Sequence, residues 1–241
     1  MLLDHQSPTA VTSLSGKRHC RDATHVVTTI IHQMAESLGN AIDAKDPHTS
    51  LHSAEVAEIA RALALSMGVS PAEADVIHVA GHLHDIGKIG VPDSVLRKQG
   101  PLTTAEWCSI RQHPESGAAI LRPVQELNTL GVVDMVLHHH ERYDGKGYPA
   151  RLAGSKIPLG ARIIAVADSL SAILQNRPYR EARDFDAAVA EIRRCSGTQF
   201  DPRVVEGLCR TVDTIKTIIT TMNVEKQHGE EYKNLSSFSA E

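Results

Sequence analysis

The chain has 241 residues, enough for one large domain or two small ones, and its 41% of hydrophobic residues can form a sizeable core. Aromatic residues make up only 3%, which favours packed helices with an aliphatic core over a β-sandwich or barrel rich in aromatic residues. The formal net charge of −4 argues against a general nucleic-acid binder that relies on bulk positive charge.

Apolar residues recur at helical spacing along most of the chain. The predicted helices lie at about 22–44, 50–68, 71–86, 103–113, 115–122, 130–141, 161–175, 184–195 and 202–222. Ser70 and Pro71 form a strong helix start, with serine as the N-cap and proline as the first helical residue. The polar segment 1–21 is predicted to be a poorly ordered leader, and 223–241 a flexible charged tail.

Two segments rich in glycine and proline interrupt this helical pattern. Residues 87–102 are predicted to form a loop with at most a short helical turn. Residues 143–160 contain four glycines and two prolines, which indicates a long loop, and loops beyond about 15 residues inside a compact domain are usually functional. The predicted fold is therefore all-α, with one helical domain at 45–222 and an N-terminal helical arm at 22–44.

The cysteine pattern and the absence of long apolar runs bear on the cellular compartment. The four cysteines lie far apart with no C-x-x-C pair, which is typical of reduced thiols in a cytosolic protein. The N-terminus shows no apolar run of signal length, and no stretch of 18 apolar residues occurs. We therefore expect a cytoplasmic protein that does not span a membrane.

Histidine is the unusual feature of the composition, with 14 residues in 241. Several histidines and two aspartates lie within or beside apolar helices: His52, His84, Asp85, His113, His138, His139, His140 and Asp168. A set of His and Asp without Cys is typical of a site for two or more divalent metal ions such as Mn or Fe. Adjacent ligands on a helix differ by about 100°, which suits Asp85 bridging two metals while His84 binds one.

Each of these residues also has a simpler interpretation. A lone buried histidine such as His113 is more often a hydrogen-bonded core residue, and three consecutive histidines at 138–140 can be a solvated helix end. Asp168 follows an apolar run and can be a carboxylate paired with another side chain. The spacing alone leaves these alternatives open.

Seven motifs, read in chain order, resemble one known family. They are DPHTSLH (46–52), HLHDIGKIGVPDSVL (82–96), QHPESGAAIL (112–121), HHERYDGKGYP (139–149), IPLGARIIAVADSL (157–170), NRPYR (176–180) and GTQFDP (197–202). Over residues 43–212 the chain resembles the HD-GYP subgroup of the HD-domain metal phosphohydrolases, which are bacterial phosphodiesterases for cyclic di-GMP. An HD dipeptide alone is weak evidence, but HDIGK followed by HHERYDGKGYP is highly specific.

The resemblance implies an HD-domain helical bundle with a metal centre that hydrolyses cyclic di-GMP to linear pGpG, by a metal-bridged hydroxide. Further cleavage to GMP stays open. The implied cofactors are two divalent ions per chain, Fe or Mn by preference, with Ni, Co or Zn tolerated. The implied metal ligands are His52, His84, Asp85, His113, His139, His140 and Asp168. Asp85 would bridge the metals, and His138 would be the histidine of the triplet that does not bind.

The resemblance also implies substrate contacts. Lys88 corresponds to the family's lysine near the scissile phosphate, where it would act with Asp85 in catalysis. The implied substrate-binding residues are Lys88, Gly147, Tyr148, Pro149, Arg177 and Arg180. The loop that holds Gly147, Tyr148 and Pro149 could also contact regulatory proteins, and the N-terminal helix could form a homodimer. Neither DNA nor a membrane is an expected partner.

Two positions depart from the family pattern and keep other functions open. Members with three metals carry a Glu four residues before the first ligand histidine, where this chain has His48, a candidate extra ligand. The position three residues after Asp168, often an acid in relatives, is Ser171. The alternatives are a cyclic-dinucleotide sensor with little or no turnover, and a hydrolase for another ring such as the mixed GMP-AMP dinucleotide.

Overall fold

The computed structural model describes residues 14–46, 51–175 and 184–237, with side chains described between 29 and 224 of these ranges. Within them the chain forms helices and turns without a strand, apart from an isolated bridge between Ser196 and Phe200. The helices are α1 (Leu14–Lys45), α2 (His52–Ser66), α3 (Pro71–Leu83), α4 (Asp93–Leu96), α5 (Thr104–Arg111), α6 (His113–Leu121), α7 (Gln125–Thr129), α8 (Val132–His138), α9 (Leu159–Leu174), α10 (Phe185–Arg194), α11 (Pro202–Arg210) and α12 (Val212–Ser237). The predicted all-α class is confirmed.

The chain divides into two units, residues 1–34 and 35–241. The core of the second unit is formed mainly by α2, α3, α8 and α9, which pack against one another. Apart from three histidines, its largest fully buried side chains are aliphatic, and they include Ile59 and Leu63 of α2 and Ile164 and Leu170 of α9. Burying each such side chain contributes about 1.5–3 kcal/mol. No helix in the described ranges is both long enough and apolar enough to cross a bilayer.

Helix starts follow the capping residues of the sequence. Ser70 and Glu73 form a reciprocal capping box at the start of α3, and Thr103 and Glu106 form another at α5. Pro114, which separates the helices predicted at 103–113 and 115–122, lies in the first turn of α6, where its missing N–H needs no partner.

Several boundaries differ from the sequence-based expectation. Helix α1 begins at Leu14 and α12 continues to Ser237, into segments expected to lack structure; no proline lies in either extension to end the helix. The predicted helix at 202–222 is split at Thr211, whose hydroxyl donates to the Gly207 carbonyl oxygen at 2.8 Å and so competes with the backbone pattern.

The two glycine- and proline-rich segments hold short helical turns. Residues 87–102 contain most of a 3₁₀ turn at Ile86–Gly90 and the four-residue α4. Helix α7 was not predicted, because five residues are too few to show a helical period. The 143–160 segment is irregular except for a 3₁₀ turn at Gly154–Lys156 and the first residues of α9.

Candidate metal centre

Five helices bring the seven predicted ligands together, and six of these ligands lie at a helix end. His52 is the first residue of α2 and His113 the first of α6, whereas Asp168 lies inside α9. His84 and Asp85 follow the last residue of α3, and His139 and His140 follow α8. Five of the seven side chains are buried, and the other two, His140 and Asp168, are partly exposed.

The potential ligand atoms form two groups. His52, His84 and Asp85 form one and His113, His139 and His140 the other, with the ligand atoms of each group within 4.8 Å of one another. Asp85 links them, because its Oδ2 lies 3.3 Å from Nε2 of His84 and its Oδ1 lies 3.2 Å from Nε2 of His113. Each carboxylate oxygen therefore faces a different group, which is the arrangement that a bridging ligand requires.

Hydrogen bonds at Nδ1 fix the orientation of three site histidines. Nδ1 of His84, His113 and His139 donates to the carbonyl oxygen three residues earlier, at 2.8, 2.7 and 2.7 Å respectively. A carbonyl can only accept, so these nitrogens carry the proton and Nε2 keeps its lone pair in the neutral ring. Such bonds are the usual way in which proteins orient histidine ligands.

A serine and a glutamate orient the ring of His52 through a hydrogen bond at Nδ1. Ser171 Oγ donates to Glu55 Oε2 at 2.6 Å and lies 2.9 Å from Nδ1 of His52. Since the single hydroxyl proton goes to Glu55, the serine oxygen accepts from His52. Nε2 of His52 then faces Asp168, whose Oδ1 is 3.2 Å away. Glu55 was missed by sequence reasoning, because a single glutamate in a helix usually faces solvent.

The donor atoms present fit divalent metal ions. Nε2 of His113 and Nε2 of His139 face each other at 3.2 Å in a buried position, which is unfavourable unless a proton or a cation lies close to both. Nε2 of His84 is buried and forms no hydrogen bond, although Oδ2 of Asp85 lies 3.3 Å away. A cation among these nitrogens and the Asp85 carboxylate would satisfy them together.

Burial keeps the second group of imidazoles neutral. It lowers the pKa of His140 to about 3 and the pKa of His139 well below its usual value, and the neighbouring histidines add to both effects. Burial also lowers the pKa of His113. For His84, burial again opposes protonation, but the adjacent Asp85 carboxylate outweighs it and raises the pKa to about 9.

Lys88 places an ammonium group against the proposed bridging carboxylate. Its Nζ lies 2.7 Å from Oδ2 of Asp85 and 3.3 Å from Oδ2 of Asp46. Burial would raise the pKa of Asp85, yet Lys88 and His84 hold it well below the usual value. Asp46 is a further buried carboxylate that sequence reasoning missed, although it opens the DPHTSLH motif.

The loop after α8 folds back onto the site. Gly147 has no room for a side chain, since a Cβ there would lie 2.3 Å from the backbone nitrogen of Arg142. The backbone N–H of Tyr148 donates to the His140 carbonyl oxygen at 3.2 Å, and the two rings lie 4.9 Å apart. The Glu141 carboxylate accepts from the N–H groups of two later loop residues, Ala150 and Leu152. Gly147 and Tyr148 therefore line the approach to His140, with Pro149 next along the chain.

Some predicted residues do not join the site. His138 ends α8 with its Nδ1 3.7 Å from Glu141 and belongs to neither group of potential ligands. Three predictions, namely His48 as an extra ligand and Arg177 and Arg180 as phosphate contacts, fall on residues outside the described ranges.

Comparisons with known proteins agree with this architecture. The family model for the HD domain matches residues 36–204. A cyclic di-GMP phosphodiesterase response regulator, RpfG of Xanthomonas campestris pv. campestris, is 44% identical over 173 residues, covering 72% of this chain and 46% of that protein. The 3'3'-cGAMP-specific phosphodiesterase 2 of Vibrio cholerae is 36% identical over 174 residues, covering 72% of this chain and 33% of that protein.

A solved structure shows the same fold. The cyclic GMP-AMP specific phosphodiesterase V-cGAP3 of Vibrio cholerae superposes with a TM-score of 0.58 at 20% identity, over 76% of this chain and 49% of that one. At this identity the likeness concerns the fold alone. The chain spans about half the length of RpfG and a third of the first Vibrio cholerae enzyme.

Proposed function

The chain belongs to the HD domain family, in its HD-GYP subgroup, and from this premise we propose that it hydrolyses cyclic di-GMP to linear pGpG in a metal-dependent reaction. The observation that carries the proposal is the position of Asp85 between two groups of histidines, with the Lys88 ammonium on the same carboxylate. Such a site suits a phosphodiester, which needs charge neutralisation on its phosphoryl oxygens.

Two divalent ions fit the donor set best, with Fe or Mn favoured by nitrogen and oxygen ligands. One would be held by His52, His84 and Asp168, the other by His113, His139 and His140, with Asp85 shared. When bound, a pair of such ions supplies a nucleophile from water and neutralises the phosphoryl oxygens. The neutral imidazoles of the second group and the ionised Asp85 are in the protonation states that ligation requires.

Lys88 acts on the negative charge that develops at the phosphate. Although burial opposes its charged form, the Asp85 and Asp46 carboxylates raise the pKa of Lys88, so it remains an ammonium ion. A fixed ammonium in a site that excludes water stabilises a transition-state charge more than one in solution would. Gly147, Tyr148 and Pro149 shape the substrate entrance, and Arg177 and Arg180 are proposed to hold the phosphates.

Cyclic di-GMP is the proposed substrate because the 44% identical relative is named for it. The mixed GMP-AMP ring is the second candidate, favoured by the 36% identical relative that is specific for it. We also propose a cytoplasmic location, supported by the three described cysteines, which are all unpaired. The N-terminal helix and the 143–160 loop remain the proposed contacts for a second copy and for regulatory proteins.

The test is metal analysis and turnover of anaerobically purified wild type beside Asp85→Ala. We expect about two metal ions per chain and cleavage of cyclic di-GMP in the wild type, with both lost in the variant. If the wild type contains metal but cleaves only the GMP-AMP ring, that ring replaces cyclic di-GMP as the proposed substrate. Metal without cleavage of either ring would refute the phosphodiesterase proposal.

A further inference from the structure

A cavity of about 490 Å³ adjoins the candidate metal centre at His140. One wall is a face of α5 and another is the loop after α8, and Gln199 also lines the cavity. The α5 residues have helical spacing and are Thr104, Trp107, Cys108 and Arg111. The cavity falls in the range of about 300–1,000 Å³ that is usual for small-molecule sites.

Aromatic and cationic groups form a stack from this cavity to the centre. The Arg111 guanidinium carbon lies 4.3 Å from the centroid of the Tyr148 ring, and that ring lies 4.9 Å from the His140 ring. Trp107 lies one helical turn before Arg111 and is 52% exposed. An indole that lines a cavity and remains half exposed offers a face on which a nucleobase can stack.

The charges of the cavity favour an anion. Arg142 is paired with the Asp144 carboxylate at 2.8 Å. In contrast, neither Arg111 nor Lys146 forms an ion pair with a carboxylate of the described residues. Both cations are therefore available to a ligand, and arginine in particular matches a phosphate with two parallel N–H groups.

We propose that this cavity binds the half of the cyclic dinucleotide that is not being cleaved. Trp107 stacks on its purine, and Arg111 and Lys146 contact its phosphate while the other phosphate lies at the metal centre. The inference rests on the proposed function, because it assumes a substrate with two nucleotides. It assigns a binding role to α5, which contributes none of the predicted metal ligands.

The chain offers a direct signal for this contact, because Trp107 is its only tryptophan. Mn-loaded protein is mixed rapidly with cyclic di-GMP, and indole fluorescence is recorded before turnover. We expect saturable quenching, with half-saturation at a concentration at least about five times higher in Arg111→Ala. The matched control is Arg122→Ala, an exposed arginine outside the cavity, which leaves the titration unchanged. Saturable turnover without quenching would overturn the assignment.

Steady-state kinetics separate this inference from the proposed function. Trp107→Leu is expected to raise KM for cyclic di-GMP by about 5- to 150-fold, with similar kcat. Hydrolysis of bis(4-nitrophenyl) phosphate, which has no second nucleotide, should be unchanged. If cyclic di-GMP quenches the Trp107 fluorescence of the wild type but is not cleaved, the proposed function fails and the cavity assignment survives. If wild type cleaves it and Trp107→Leu has the same KM, the cavity assignment fails alone.

A second measurement does not depend on fluorescence. Cys108 lines the cavity and is exposed, whereas Cys209 is exposed elsewhere on the chain. Bound cyclic di-GMP should slow alkylation of Cys108, read by mass spectrometry of its peptide, and leave Cys209 as an internal control. Equal rates at Cys108 with and without saturating nucleotide would contradict the proposal.

Discussion

Ser171 is the residue whose replacement best separates metal binding from general stability. Its side chain is fully buried, and its Oγ contacts Nδ1 of His52 at 2.9 Å, Oε2 of Glu55 at 2.6 Å and Nε2 of Gln175 at 3.2 Å. In Ser171→Ala, Glu55 keeps its bond from Gln175 at 3.0 Å, but Nδ1 of His52 loses its acceptor. The ring is then free to turn or to place its proton on Nε2, the nitrogen proposed to bind metal.

The magnitude follows from these contacts. One buried N–H without a partner costs about 1–3 kcal/mol of the free energy of unfolding. Loss of a group that orients a metal ligand lowers metal affinity by about 10- to 100-fold. We expect both effects in Ser171→Ala, the first in urea unfolding of the metal-free protein and the second in a competition titration against a chromogenic chelator.

Ser53→Ala is the matched control for stability. Ser53 is also fully buried, and its hydroxyl donates to Oδ1 of Asp43 at 2.8 Å but makes no hydrogen bond to a proposed ligand. The Ser53→Ala substitution should lower the free energy of unfolding by about 1 kcal/mol and leave metal affinity unchanged. Equal metal affinities in Ser171→Ala and wild type would refute the idea that this serine orients His52.

Three further predictions concern the charge, the protonation and the loop of the site. Lys88→Met should lower kcat by about 10²- to 10³-fold with metal content retained, as measured by turnover and elemental analysis. In metal-free protein the His84 pKa of about 9 exceeds the unfolded value of about 6.5, so this group stabilises the fold fully below pH 6.5 and the effect is lost as pH rises through 9. Urea unfolding of metal-free protein at pH 6, 8 and 10 should show that loss, whereas a flat profile would contradict it. Gly147→Ala should raise KM and lower the melting temperature because its Cβ would meet the backbone of Arg142, whereas Gly100→Ala, with open space around it, should change neither.

The family resemblance, and not the spacing alone, predicted which side chains converge, since motifs mark positions that chemistry restricts. All seven predicted ligands lie at one site, and the all-α fold follows from an apolar period that short helices still display. Loop and helix ends were less predictable. The helix predicted at 115–122 begins at His113, because α5 stops at Arg111 and a new first turn accommodates Pro114.

The supporting residues could not be predicted, because their roles depend on contacts between distant parts of the chain. Glu55 and Ser171 are 116 positions apart, and neither shows a local signal for the hydrogen bond that joins them. No local pattern in the sequence distinguishes Trp107 from the other residues of α5. Its role is indicated only by the fold, which places Tyr148 and His140 beside the same cavity. Long-range packing, which no local period encodes, creates both arrangements.

The position of each histidine at a helix end explains which ones need such support. Gly81, Ile110 and Val136 lie in the last turns of α3, α5 and α8, where carbonyl groups lack helical partners. His84, His113 and His139 each use one of them, so a single bond satisfies a helix end and directs Nε2 into the site. His113 also begins a helix, but α5 ends directly before it and offers a carbonyl, whereas α2, which His52 begins, does not follow another helix directly. Nδ1 of His52 therefore needs an acceptor from another helix. Ser171 of α9, itself held by Glu55, supplies it, so the effect of Ser171→Ala should be confined to the metal ion that His52 binds.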